Sequence, residues 1–241
     1  GNASHPELMR IAAQAGLTGI ITTDHNIWVD GVEGYYGNKK CPAMLLVGEE
    51  IHDRHLIPPG NHLLAINAQK ELSPFADNPQ RLINQIAQND GLSFIAHPIE
   101  DPLETFHEKE FSWRNWEIHN FTGIELWNQL SEFKSVTNNL FSAFINAVFP
   151  KIMTIGPLER TLDLWDQLIT TRRRPIVAIG GVDAHQLPYS LGPITILLYP
   201  YLHHFKSVRT HILTPKPLSG SFPEDRNMIV NSLRQGHCFV G

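Results

Sequence analysis

Residues 4–26, SHPELMRIAAQAGLTGIITTDHN, hold the logic of the fold. Ser4 and Glu7 have the spacing of a capping box, Pro6 falls in the first helical turn, and Leu8, Ile11, Ala12 and Ala15 recur at helical spacing until Gly16 stops them. The pattern predicts a helix over residues 5–15. Gly19-Ile20-Ile21-Thr22-Thr23 then reads as a short strand rich in β-branched residues, delivering Asp24-His25-Asn26 at its C-terminal end. The alternation repeats along the chain. Met44 to Val47 and His62 to Ile66 read as strands, 79–89 as a helix, and Leu92 to Ala96 as a buried strand ending at His97-Pro98. Gly123 to Trp127 is a strand, 131–148 is helical in part, 159–171 is a helix, and Pro175 to Ile179 is a strand leading to Asp183-Ala184-His185. Ile194 to Leu198, a strand at 210–213 and a helix at 225–235 follow. Strands alternating with helices predict an α/β chain with parallel pairing, in a barrel or an open sheet. Arg172-Arg173-Arg174, the one basic run, is expected to sit against the negative end of the preceding helix dipole.

At 241 residues the chain suits a single domain spanning 1–241 with a sizeable core. No charge-free apolar run approaches the ~20 residues of a membrane span, so no membrane partner is expected. Lys and Arg total 19 against 24 for Asp and Glu, a net charge of -5, which lacks the basic excess that a phosphate backbone requires. Nucleic acid is therefore not expected as a partner, and oligomeric state stays open. Cys41 and Cys238 could form at most one bridge and make no disulfide framework. No P-loop, nucleophile elbow, Rossmann glycine pattern or Cys-x-x-Cys is present. The chain opens at Gly1 without Met, and Gln235 to Gly241 reads like a strand just starting, so truncation at both ends is expected. No signal peptide is legible, and a cytoplasmic location is the expectation.

The thirteen histidines are the distinctive feature, because several fall with carboxylates at strand ends: Asp24-His25, Glu49-Glu50, His62, His97 and Asp183-x-His185. Zn, Mn and Fe take imidazole and carboxylate ligands, and a bridging carboxylate lets two ions sit close enough for hydrolysis. Each residue also has an ordinary reading. Asp24-His25 could simply turn the chain, and His62 and His97 could be satisfied core histidines. Strand alternation sends Glu49 and Glu50 to opposite faces, so only one can reach a shared site. The ordinary readings must all hold at once at separate strand ends, which favours metal. His52, His55, His203 and His204 read as loop histidines, and Trp113, Trp116, Trp127 and Trp165 as core or pocket wall. Glu125 and Asn128 would line the pocket, and Arg54 or Arg209 would hold a substrate phosphate.

Thr23-Asp24-His25-Asn26, Gly48-Glu49-Glu50-Ile51, Asn61-His62-Leu63-Leu64, Ile95-Ala96-His97-Pro98 and Gly181-Val182-Asp183-Ala184-His185 resemble, in that order, the motifs of the PHP (polymerase and histidinol phosphatase) superfamily. The stretch from Tyr201 to Val240 resembles that of PHP metallohydrolases grouped with a carbaryl-hydrolysing enzyme. The resemblance implies a distorted (β/α)7 barrel with two or three divalent ions (Zn, Mn or Fe) at the C-terminal ends of its strands. By the same resemblance His25 and His185 help hold one ion, His62 and His97 a second, Glu50 bridges two, and Asp183 completes the remaining site. Glu49 is then the variable position. The strand carrying the family's opening His-x-His motif would precede Gly1 and is expected to be missing from this chain. The implied activity is metal-dependent hydrolysis of a small phosphate ester by activated water, with His97, Asp183 and His185 as catalytic residues. Two alternatives are hydrolysis of a carboxylic or carbamate ester, suggested by the Tyr201–Val240 stretch and the aromatics near 113–127, and a non-catalytic metal-binding remnant.

Overall fold

A computed structural model describes residues 3–38, 42–103, 109–137, 139, 142, 146, 155–185, 187–191, 194–198 and 200–241. Gly1, Cys41 and most of the expected helical stretch after residue 137 lie outside these residues. The elements in order are α1 (His5–Gln14), β1 (Gly19–His25), β2 (Gly34–Tyr36), β3 (Ala43–Ile51), β4 (Leu63–Ile66), α2 (Pro79–Gln88), β5 (Leu92–Ile95), β6 (Gly123–Asn128), α3 (Gln129–Val136), α4 (Glu159–Arg172) and β7 (Val177–Gly181). The hairpin β8 (Leu187–Leu191) and β9 (Ile194–Leu198), then α5 (Tyr201–His204), β10 (Thr210–Ile212), α6 (Phe222–Arg234) and β11 (Cys238–Val240), complete the chain.

The main sheet runs β1-β3-β4-β5-β6-β7, with β2 beside β3. Pairs β1–β3, β5–β6 and β6–β7 are parallel as the alternation predicts. β4, however, is antiparallel to both β3 and β5. No helix lies between Ile51 and Leu63, so the chain makes no crossover there and returns directly alongside β3. The direction of β4 matters for everything that follows: its first residue lies level with the C-terminal ends of the parallel strands.

Both faces of the sheet are buried, by alternation along each strand. Leu63 and Ala65 of β4, with Ile95 of β5 and Ile124 of β6, meet Leu82, Ile83 and Ile86 of α2 and Leu168 of α4. Leu64 and Ile66 turn the other way and join Phe94, Val177 and Ile179, with Val230 and Leu233 of α6. Ile21 of β1 packs on this same second cluster. The two edge strands, β1 and β7, therefore converge on one core, and the molecule is a mixed α/β structure with a curled sheet, open between them. Among the described residues no helix is long and apolar enough to cross a membrane.

Two local expectations are corrected. Ser4 does sit at the N-cap of α1 in extended conformation, yet its side chain makes no cap hydrogen bond, so the capping box is not formed. The arginine run does more than face a dipole. Arg172 donates to the carbonyls of Trp116 and Ile118 and Arg174 to that of Phe121, lacing residues 116–121 to the end of α4, while Arg173 takes the left-handed C-cap at φ 52°.

The start of α6 is fixed by Asp225, which is fully buried. The Tyr35 hydroxyl donates to Oδ2 at 2.6 Å, and the N–H groups of Ser219 and Gly220 donate to the same carboxylate at 2.8 Å. Burial alone would raise its pKa, but these donors outweigh burial and hold it down at about 2. Burial and the neighbouring Asp225 push Tyr35 up to about 12.

Because Asp225 ionises more readily folded than unfolded (reference ~3.9), its contribution is complete above about pH 4 and is lost as pH falls toward 2. Asp225→Asn should lower the Tm at neutral pH and flatten its acid-side decline over that window, as read by thermal melts across pH. Ile83, fully buried on the inward face of α2, tests the outer core. Ile83→Ala should cost about 2–5 kcal/mol in denaturant unfolding, leaving the site at the sheet's end intact.

Candidate metal centre

The site follows from which way each strand runs and which face each residue takes. In register, His25 on β1 is opposite Glu50 on β3, and Glu50 is opposite Leu64 on β4, so Glu50 shares the inner face with Leu64. His25 lies two and four residues beyond Thr23 and Ile21 and shares their inner face. Glu49 turns outward, fully buried, and accepts the Leu72 N–H at 3.1 Å. Burial, with the adjacent Glu71 carboxyl, pushes Glu49 up to about 8, so it serves the outer face as an acid rather than a ligand. His97 follows β5, Asp183 and His185 follow β7, and His62 precedes the reversed β4, which brings all of them to one end of the sheet. The His62 carbonyl accepts the Ala96 N–H at 3.1 Å and locks that register.

Sharp turns aim these groups. Asn26, Asn61, His97 and Asp183 have φ of 52°, 56°, 26° and 44°, in the left-handed region that side chains other than glycine seldom occupy. Such strain persists where surrounding contacts enforce it, and it clusters at functional sites. His97 is enforced by its N–H, which donates to Glu125 Oε2 at 2.9 Å. Asn128 Nδ2 donates to the same oxygen at 2.9 Å, while its Oδ1 caps α3 at Ser131. Gly181 permits this, since a Cβ there would collide with Glu125 Oε1. Burial raises Glu125 to about 7.

At the centre is the Glu50 carboxylate, 5% exposed. His62 Nδ1 lies 2.7 Å and His97 Nε2 3.3 Å from its Oε1, and His25 Nδ1 lies 3.9 Å from Oε2. Burial would raise Glu50, but the imidazoles of His62 and His97 outweigh it and hold the carboxyl well below its ordinary range. His97 reaches a second buried carboxylate through Nδ1, 3.4 Å from Glu100 Oε2. Burial favours the neutral ring, yet Glu50, Glu100 and Asp183 prevail and lift His97 to about 10. Lys134, also buried, pairs with Glu100. Across the opening of the sheet, His185 Nδ1 lies 3.1 Å from Asp183 Oδ1, and its ring is 5.8 Å from that of His25. The Asp183 hydrogen bond raises His185 to about 9, and the same contact overcomes burial to lower Asp183.

His25, Glu50, His62, His97, Asp183 and His185 thus occupy one end of the sheet, as their strand-end positions predict. Asp24 and Arg209 are engaged elsewhere, while Arg54 stays near enough to the His52 ring to act on it electrostatically. Asp24 turns outward, 3.8 Å from His5 Nε2. Arg54 is exposed in the loop after β3. Arg209 spends its guanidinium on the carbonyls of Phe205 and Ala15. The unexpected member is His52, whose ring stacks on His62 at 4.5 Å between centroids and meets His25 at 5.4 Å. Burial, reinforced by His62 and His25, lowers it to about 4. Glu100 and Lys134 were not anticipated either. Glu100, three residues past His97, had a positional hint, and Lys134 had none.

The donor set suits a divalent ion. Ligand atoms of the Glu50, His62 and His97 group lie within 4.8 Å of one another, as do those of His25, His52 and His62. Two ligands of one tetrahedral zinc at ~2.0–2.1 Å stand ~3.3 Å apart, which is the Glu50–His97 separation. His62 Nε2 is buried without a hydrogen-bond partner, a vacancy that costs free energy unless something else fills it. A cation would also discharge the crowding of Glu50 and Asp183.

Imidazoles must shed a proton to ligate, and His97 and His185, at about 10 and 9, carry theirs at neutral pH. Zinc uptake near pH 7 should release protons, and affinity should climb with pH. Titration calorimetry in two buffers of different ionisation enthalpy measures this; a heat independent of buffer would contradict it.

No family model matches the chain, and no curated protein matches it. Among solved structures it is similar to a two-domain protein of Bacteroides vulgatus described as containing a predicted PHP-like metal-dependent phosphoesterase, at 12% identity and a TM-score of 0.49. The similarity covers 96% of this chain and 59% of that one, so the chain spans less than two thirds of its neighbour's length.

Proposed function

We propose that the protein is a metal-dependent phosphoesterase of the PHP type, built on a distorted (β/α)7 barrel and acting on a small phosphate ester. The observation that carries this reading is the Glu50 carboxylate, buried and approached by His62, His97 and His25. The order of the sequence motifs along the chain supports it, since four motifs supply one grouped residue each and the last supplies both Asp183 and His185. In this reading His25, Glu50, His62, His97, Asp183 and His185 hold two or three ions of Zn, Mn or Fe. Such ions supply Lewis acidity for a phosphoryl oxygen and lower the pKa of water toward ~7.

The chain's own residues then have distinct tasks. Glu50 contributes the negative charge that concentrates cations at the sheet's end. Glu125, accepting from the His97 N–H, keeps that imidazole aimed inward. When it is not committed to an ion, the ring of His185, about two-fifths exposed and protonated at neutral pH through Asp183, can deliver a proton to a departing alkoxide at the open side of the site. His97, enclosed between Glu50 and Glu100, has no such access. No serine or cysteine nucleophile is required.

Chelator treatment should abolish hydrolysis of p-nitrophenyl phosphate, and Zn2+ or Mn2+ should restore it. Glu50→Gln and His97→Ala should each lower kcat by about 100-fold or more while leaving far-UV circular dichroism unchanged. Turnover surviving both substitutions, with metal supplied, would defeat the proposal.

A further inference from the structure

Beside Glu50 the rings of His25, His52 and His62 make a second meeting point. Their ligand atoms lie within 4.8 Å of one another. His52 is nearly parallel to His62, with an interplanar angle of 24°, and His25 stands edge-on to both, at 78° and 77°. His62 is the shared member. Its Nδ1 faces Glu50 at 2.7 Å, while Nε2 is buried and has no hydrogen-bond partner. One imidazole nitrogen on a carboxylate and the other left open is the arrangement by which proteins orient a ring for a metal.

His52 is held in place rather than loosely packed. Asn26 Oδ1 accepts the His52 N–H at 2.9 Å, and Asn26 Nδ2 donates to the His52 carbonyl at 3.0 Å. Asn26 is itself anchored, its N–H donating to the Glu50 carbonyl at 2.9 Å. This clamp joins the ends of β1 and β3 and carries His52 over the site. The Asn26 amide also lies 3.3 and 3.5 Å from the His52 ring nitrogens, a long contact that a ligand bond would displace. Stacked histidines could instead be simple packing. Packing gives no reason, however, for a buried nitrogen without a partner at the point where three imidazoles converge.

We propose that His52 is a metal ligand, forming with His25 and His62 an all-imidazole site for a divalent ion. The proposal rests on the reading that this cluster takes metal, and it adds a residue and a site that the sequence motifs do not contain. Three nitrogen donors and no carboxylate favour the zinc, nickel and copper end of the first-row series over manganese or magnesium. Three protein ligands also leave one tetrahedral position open to water or substrate.

Cobalt titration of chelator-stripped protein, followed by visible absorption and elemental analysis, tests this on the full chain. His52→Ala and His52→Gln should each bind one equivalent fewer than the unaltered protein, or bind one equivalent about tenfold more weakly. Unchanged stoichiometry and affinity in folded variants would overturn the assignment while leaving the proposed function standing. Absence of any uptake by the unaltered protein would overturn both. Pulsed electron paramagnetic resonance of the copper-loaded unaltered protein needs no variant: three coordinated imidazoles support the site, and two or fewer reject it.

Discussion

A carboxylate removed from water on the inner face of a sheet is the constraint around which this molecule is organised. Burying Glu50 alone would push it toward its neutral form, and the cost is met by imidazoles drawn from other strands. Satisfying it requires His25, His62 and His97 at one level, which requires β1, β3 and β5 to end there and β4 to begin there. The direction of β4 and the left-handed turns at Asn61 and His97 help to bring these rings to that level.

The surrounding packing separates two kinds of buried acid. Glu49 and Glu125 are pushed up toward the neutral range by burial, and each accepts a backbone N–H that fixes a turn. Glu50 and Asp183 are pulled down by imidazoles and stay ionised. At this end of the sheet, the acids that hold the scaffold and the acids that offer charge thus differ in their partners.

Much of the fold and site was legible because hydrophobic runs end where polar chemistry begins. Leu92 to Ala96 could only be a buried strand, and His97 directly after it had to emerge at an end. Alternation separated Glu50 from Glu49 for the same reason. The antiparallel course of β4 was not legible, since Leu-Leu-Ala-Ile has the same pattern read in either direction. His52 was hidden because a loop has no period, and its position depends on a clamp from Asn26, 26 residues away. Ser4 and Glu7 carry the capping signature without the bond, and the arginine run, adjacent to α4 in sequence, finds its partners at residues 116–121.

The tight fit between Gly181 and Glu125 has an evolutionary consequence. The volume that a methyl group would need on β7 is already taken by a carboxylate from β6, and that carboxylate steadies the turn at His97. The two positions are coupled: a larger residue at 181 must push the Glu125 carboxylate off the His97 N–H and Asn128 unless 125 has shortened, and a shortened 125 leaves His97 without its anchor. Among homologous sequences the two should change together or not at all.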